Sequence, residues 1–223
     1  DHGVEMRTGN HWGHVRDLPE SFYAATTGID PIDDVISRVL KTGYCHHIER
    51  LMILGGFMFL CEIHPDQIYK WFMEMFVDSY DWFMVPNVYA MSQHADGGLV
   101  GSKPYISSGR YIERMSDHCR RCAYKVSARV GDSACPFNVL YWDFLDRNSA
   151  RFAKNPRMRM MIKNYERIDA DERVAITAAV IQRTRAPKDV TNLLINVYIK
   201  ILTILFAAKR IPTIGMVKPK FSA

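Results

Sequence analysis

Three cysteines, Cys119, Cys122 and Cys135, carry the most specific chemical spacing in the chain, C-x2-C-x12-C. Two thiolates three positions apart can reach one metal from a single turn, and the pattern suits zinc or an iron–sulfur cluster. Such a site needs a fourth ligand, and spacing alone names none nearby. The three lie in a stretch, 91–137, that also holds a dense run of Gly, Ser and Pro over 97–109. A loop that long inside an otherwise helical chain is usually shaped for a ligand or a partner. The five cysteines are an odd count without a regular framework, which favours metal-binding or reduced thiols over a disulfide scaffold.

The elements that must position these residues read as helices. Residues 1–27 are polar and aromatic with no clean period, and are expected to form an irregular arm over a surface. Pro31 opens a helix, with Asp33 and Asp34 in its first turn and an apolar stripe of Ile32, Val35, Ile36, Val39 and Leu40. The helical pattern is read onward through 44–52. Gly55 and Gly56 interrupt the next apolar run and allow close packing. Residues 67–80 read as a helix burying Trp71, Phe72, Met75 and Phe76, with Trp82 also assigned to the core. Pro86 marks a boundary. Further helices are expected over 110–121, 136–152, from Asn155, and over 169–185. The helix over 136–152 would bury Phe137, Leu140, Tyr141, Phe144 and Leu145. No stretch alternates long enough for a confident strand, so the class is all-α.

The 223 residues amount to one large domain or a domain with a tail, and 48% of them are hydrophobic, enough for a sizeable core. The net charge of +5 suits nucleic acid, an anionic membrane surface or an acidic partner, and selects none of them. The basic run over 147–167 reads as a solvated face. The chain starts at Asp1 without Met, so either a removed targeting segment or part of a longer product is expected. Residues 190–208, VTNLLINVYIKILTILFAA, have about the length of a membrane span, with Lys200 in the middle and Lys209 and Arg210 behind. They are expected to form a core or docked helix, or one held at a membrane over 190–210. The domain plan is therefore an arm over 1–27, a helical domain over 28–185, and a hydrophobic helix with basic tail over 186–223.

Three blocks, GYCHHIERLMILGGF, DWFMVPNVYAMSQHADGGLVGSKPYISSGRYIERMSDHCRRCAYKVSARVGDSACPF and RFAKNPRMRMMIKNYERI, give the chain a likeness to a known family. Residues 28–168 resemble the C-terminal half of the flavin domain of photolyase-related proteins. The branch resembled is that of iron–sulfur bacterial cryptochromes and six-four photolyases. The resemblance implies an all-helical domain with FAD and a [4Fe–4S] cluster, repairing ultraviolet lesions in DNA by light-driven electron transfer. It places Cys119, Cys122 and Cys135 on three of four cluster ligands. His46 and His47 fall on the histidine pair at the lesion, and Trp71 on the electron route. Met91, Ser92, Gln93, Asp96, Gly97 and Tyr105 fall on the flavin and lesion region. A histidine pair can donate protons near neutral pH.

The same resemblance exposes departures. The first cluster cysteine should stand at Pro31, an acid near the flavin at Met84, and a Phe at His94. The family's antenna domain and the first part of its flavin domain have no counterpart in the chain. Two functions follow from different classes. One is a non-catalytic structural or assembly subunit of a larger complex, photosynthetic or respiratory, in an organellar membrane. The other is the catalytic part of a FAD- and [4Fe–4S]-dependent DNA photolyase. The first is favoured, with protein subunits as partners, nucleic acid only under the second, and no stoichiometric FAD. Any metal would be held by the three cysteines as an iron–sulfur cluster or zinc.

Overall fold

A helix whose residues are apolar on nearly every side has to be surrounded, and α8 (Pro136–Arg147) is that helix here. The computed structural model describes residues 2–184. In α8, Phe137, Val139, Leu140, Tyr141, Phe144 and Leu145 are all buried. In chain order the helices before it are α1 (Gly3–Thr8), α2 (Ser21–Ala24), α3 (Asp30–Thr42), α4 (Gly56–Leu60), α5 (Pro65–Met75), α6 (Asp81–Val85) and α7 (Gly109–Met115). Behind it come α9 (Ser149–Phe152), α10 (Arg159–Glu166) and α11 (Ala170–Thr184). Among the described residues there are no strands, only isolated bridges at Arg16–Ile63 and Lys125–Ala134, so the fold is all-α. The chain divides into two compact units, 1–180 and 181–223, and the first carries everything that follows.

Packing around α8 explains the core. α4, α7, α9 and α10 all touch it. Phe57 meets Phe137 at 4.7 Å between ring centroids, and Phe59 meets Phe144 at 5.0 Å. Asp143 is buried on the same helix. Burial raises its pKa and the Arg147 guanidinium opposes that rise. Arg147 also pairs with Glu62, which accepts from Arg16 at 3.1 Å, so a chain of charges ties the N-terminal arm to α8.

Several expected boundaries are corrected. The first 27 residues contain α1 and α2, and Trp12 enters the aromatic cluster of Phe59, Phe144 and Phe152. The helix of α3 does not run through 44–52. Gly43 adopts φ +65°, ends it at Thr42, and donates to the Val39 carbonyl at 2.7 Å. A π-helical stretch, Glu49–Gly55, then leads without a break into α4 through Gly55 and Gly56. They do permit close approach: a Cβ on Gly55 would lie 2.0 Å from Ser92 Oγ. α5 ends at Met75, short of Tyr80. Pro86 is no boundary, since α6 continues as a π-helical stretch, Pro86–Ser92. Proline cannot donate a helical hydrogen bond, and a locally wider turn is one way of accommodating it. The helix expected over 110–121 stops at Met115, with one 3-10 turn at His118–Arg120. α8 breaks at Asn148, and the helix after Asn155 begins only at Arg159. Trp82 is 76% exposed and not part of the core.

Candidate functional site

Two small, partly open spaces gather some of the residues singled out in the sequence. The first lies where the stretches Glu49–Gly55 and Pro86–Ser92 meet α5 and α6. It measures about 10 Å³ and is lined by His47, Arg50, Phe72, Met84, Val88 and Ser92 among others. That is room for about one water. Met84 is 1% exposed and supplies a thioether where the resemblance implied an acid. The His47 imidazole has a lowered pKa, through partial burial first and then the Arg50 and His46 charges. Arg50 is engaged elsewhere. It grips Asp78 at 2.9 Å through both terminal nitrogens and donates Nε–H to the Cys45 carbonyl at 3.1 Å.

The remaining residues of this group scatter. His46 is exposed, and its Nδ1 accepts from the Ile48 amide at 3.1 Å. Trp71 is sealed in the core, its indole N–H donated to the Phe22 carbonyl at 3.2 Å. Gln93 is buried and turned toward Gly55, with its amide nitrogen on the Gly55 carbonyl and on Ser92 Oγ. Asp96 caps the amides of Gly98 and Val100, Gly97 lies against His11, and Met91 is half-buried. Tyr105 is 37% exposed. His94 is buried in the left-handed region at φ +46°, and its Nε2 meets the Gly101 carbonyl at 2.9 Å. Only His47 and Ser92 of the expected flavin and lesion residues therefore share a pocket. The space beside His47 has room for about one water and not for a flavin ring.

The second space brings the cysteines together. Cys119, Cys122, Cys135 and Pro31 all line it, with Ile112 and Phe137, around about 10 Å³. Burial, followed by the neighbouring Cys135 and Cys122, pushes the Cys119 thiol up to about 11. Among the described residues no three His, Cys, Asp or Glu side chains stand in metal-binding geometry. The residues do not fit a four-thiolate cluster, since Pro31 has no donor atom to offer on its side chain. Cys45 and Cys61 do not line this space, and burial pushes each of their thiols up to about 12.

A third feature was missed by sequence reasoning. Val77 and Tyr80 between α5 and α6, and Trp82 in the first turn of α6, are 77%, 62% and 76% exposed, and the Tyr80 and Trp82 rings stack at 6.5 Å. Gly43 abuts Val77, and Tyr44 next to it in the chain is 53% exposed, with its ring against the Arg50 guanidinium. The sequence signal was the aromatic pair flanking Asp81.

An all-helical domain with a histidine-edged pocket and a three-cysteine pocket is the architecture expected of a photolyase-type helical domain. No family model matches the chain. It is 42% identical over 171 residues to a (6-4) photolyase from Agrobacterium fabrum, an alignment covering 77% of the chain and 34% of that protein. It is also 42% identical over 101 residues to the uncharacterised protein R855 of Acanthamoeba polyphaga mimivirus, covering 45% of the chain and 75% of that protein. The chain belongs to the photolyase/cryptochrome-related family. It spans about a third of the length of the photolyase it matches.

Proposed function

We infer that this chain is a non-catalytic member of its family that works by docking to other proteins, as a structural or assembly subunit. The observation that carries the reading is the exposed, stacked pair of Tyr80 and Trp82, with the exposed Val77 three residues before it. Large apolar groups grouped on a surface mark a place where another protein sits. Met84 agrees with it, since a buried thioether beside His47 can neither hold nor pass a proton. The placing in an organellar membrane complex rests on the apolar run over 190–208 and the basic residues behind it, which lie outside the described residues. Among the described residues no helix is long and apolar enough to cross a membrane.

Light-driven DNA repair is the second reading, favoured by the 42% identity to a (6-4) photolyase and by His47 at the pocket edge. One experiment separates the two. Purified protein is incubated with FAD and an oligonucleotide carrying a six-four lesion, then illuminated. In parallel, wild type and a Tyr80→Ser/Trp82→Ser variant are followed by native electrophoresis of cell extracts. The docking reading expects no retained flavin, an unchanged lesion, and a large assembly that the double variant leaves. About one FAD per chain with light-dependent loss of the lesion, abolished in His47→Ala, would replace it with the enzyme.

A further inference from the structure

Cations on a folded surface are usually interleaved with carboxylates, and over 151–167 they are not. Six exposed cations, Arg151, Lys154, Arg157, Arg159, Lys163 and Arg167, stand there against one exposed carboxylate, Glu166. Among the described residues none of the six joins an ion pair, whereas Arg147 just before them is paired with both Asp143 and Glu62. The fold sets this row. Met158, Ile162, Tyr165 and Ile168 are buried beneath α10, which leaves Arg159, Lys163 and Arg167 on its outer side at intervals of four. Like charges four apart destabilise a helix, so the row does not serve the stability of α10.

A loop over 97–103 is tethered beside this row at two points. Asn155 donates Nδ2–H to the Ser102 carbonyl at 2.9 Å, and its Oδ1 accepts from the Arg157 amide at 3.0 Å. Arg151 lies over the Trp12 ring at 5.6 Å, the Trp12 and His94 ring centres are 5.7 Å apart, and His94 Nε2 meets the Gly101 carbonyl at 2.9 Å. Asp96 holds the other limb of the loop through the amides of Gly98 and Val100. Between these anchors Leu99 and Val100 are 52% and 49% exposed. Two aliphatic side chains are therefore presented to solvent on a fixed loop next to unpaired cations.

Unpaired cations select an anionic partner. Aliphatic groups beside them select one with hydrocarbon just beneath its charge. A leaflet of acidic phospholipid has both, with phosphates at its surface and acyl chains a few ångströms below. Nucleic acid offers the charge, but its bases are gripped by exposed aromatic rings, and the two aromatics of the basic segment, Phe152 and Tyr165, are buried. We propose that the loop over 97–103 and the basic row over 151–167 form a peripheral membrane-binding face. Arg and Lys side chains meet the headgroup phosphates of an anionic leaflet, and Leu99 and Val100 enter the top of its acyl region. The face uses neither the Tyr80–Trp82 pair nor the run over 190–208, so it does not rest on the docking function proposed above.

The test is co-sedimentation of the full chain with vesicles of phosphatidylcholine alone and of phosphatidylcholine mixed with phosphatidylglycerol. Wild type is expected on the mixed vesicles, released by salt, and not on phosphatidylcholine alone. Arg159→Gln/Lys163→Gln should weaken binding by about tenfold or more, since each cation near an anionic surface is worth about fivefold. Leu99→Ser/Val100→Ser should weaken it by about tenfold and leave the salt dependence in place. All four side chains are exposed, so the fold does not depend on them. Wild type that stays off both vesicles overturns the proposal. Equal binding by wild type and both variants overturns it as well, because another part of the chain would then hold the lipid. Loss in the charge variant alone also overturns it, because Leu99 and Val100 would not enter the leaflet; a duplex oligonucleotide that displaces the vesicles in that case assigns the face to nucleic acid.

Discussion

Arg50 and Asp78 form a two-pronged ion pair, 2.9 Å through each terminal nitrogen, and the two ends live in different solvents. The Arg50 side chain is 7% exposed and Asp78 41%. The guanidinium also lies 4.2 Å over Phe76 and 5.1 Å from the Tyr44 ring centre. The burial cost is therefore carried mostly by the arginine. Removing Asp78 leaves a buried cation without its partner. Removing Arg50 leaves a carboxylate that water can reach. Asp78→Ala is expected to lose about 3 kcal/mol and Arg50→Met only about 1–2 kcal/mol. Urea unfolding of the two variants checks the order, and equal losses would argue that the pair is solvent-screened throughout.

Gly55 and Ser92 mark the crossing of the two π-helical stretches. A methyl group at 55 would sit 2.0 Å from Ser92 Oγ, well inside contact. Gly55→Ala should cost about 3 kcal/mol by forcing the two stretches apart. Ser92→Gly clears that space and loses its hydrogen bond with Gln93. The double variant should recover at least about 1 kcal/mol relative to additivity in a thermal-melt cycle. Strict additivity would mean that the stretches do not touch at these residues.

His14 is 5% exposed, packed with its ring 4.9 Å from Phe59, and burial holds its pKa down at about 4. An unfolded chain carries that imidazole near 6.5. Between those two values the unfolded state binds the extra proton, so stability falls as pH drops through 6.5 and levels off below about 4. The loss should approach about 3 kcal/mol, because a tenfold change in proton affinity between the folded and unfolded chain corresponds to about 1.4 kcal/mol. His94, also buried and also lowered, adds a share of the same sign. Urea midpoints from pH 7.5 to 4.5 measure the slope. His14→Phe should flatten it in part, and an unchanged slope would assign the effect to other groups.

Deleting 190–223 tests the expectation drawn from the apolar run. The proposed function expects the full chain to migrate with a large membrane assembly and the truncated protein to leave it. Co-migration of the truncated chain with that assembly would move the anchor to the ridge of Tyr80 and Trp82.

Legibility in the sequence differs from element to element. α3 and α5 were legible, because Pro31 and Pro65 sit at their starts and their apolar stripes repeat at helical spacing. Their ends were less so. Gly43 stops α3 only because it takes a positive φ, and a single glycine within an apolar-rich stretch does not announce that. The passage from α6 through Pro86 was misread for a related reason: a wider turn accommodates proline, and nothing local in the sequence encodes a wider turn. Trp82 was placed inside on hydrophobicity alone, which ignores that Asp81 and Tyr80 beside it are exposed too. In the thiol pocket, spacing and resemblance named all four residues, Pro31 included. The frame around them stayed hidden, because Asn138 reaches Gly109 and Val126 across distances in sequence that no periodicity reports. Arg50 and Asp78 were likewise too far apart in the chain to be paired by inspection.

The two π-helical stretches act on the rest of the molecule as phase shifters. A π turn holds about one residue more than an α turn, so every side chain after it is rotated by about 100° from where an uninterrupted α-helix would aim it. Phe57 after the first stretch and Ser92 at the end of the second are both buried at the rotation that the stretches set. Shortening either stretch by a single residue would keep a helix and keep its composition. It would turn a core face to water, so that a deletion too small to break any secondary structure would still unmake the packing around α8.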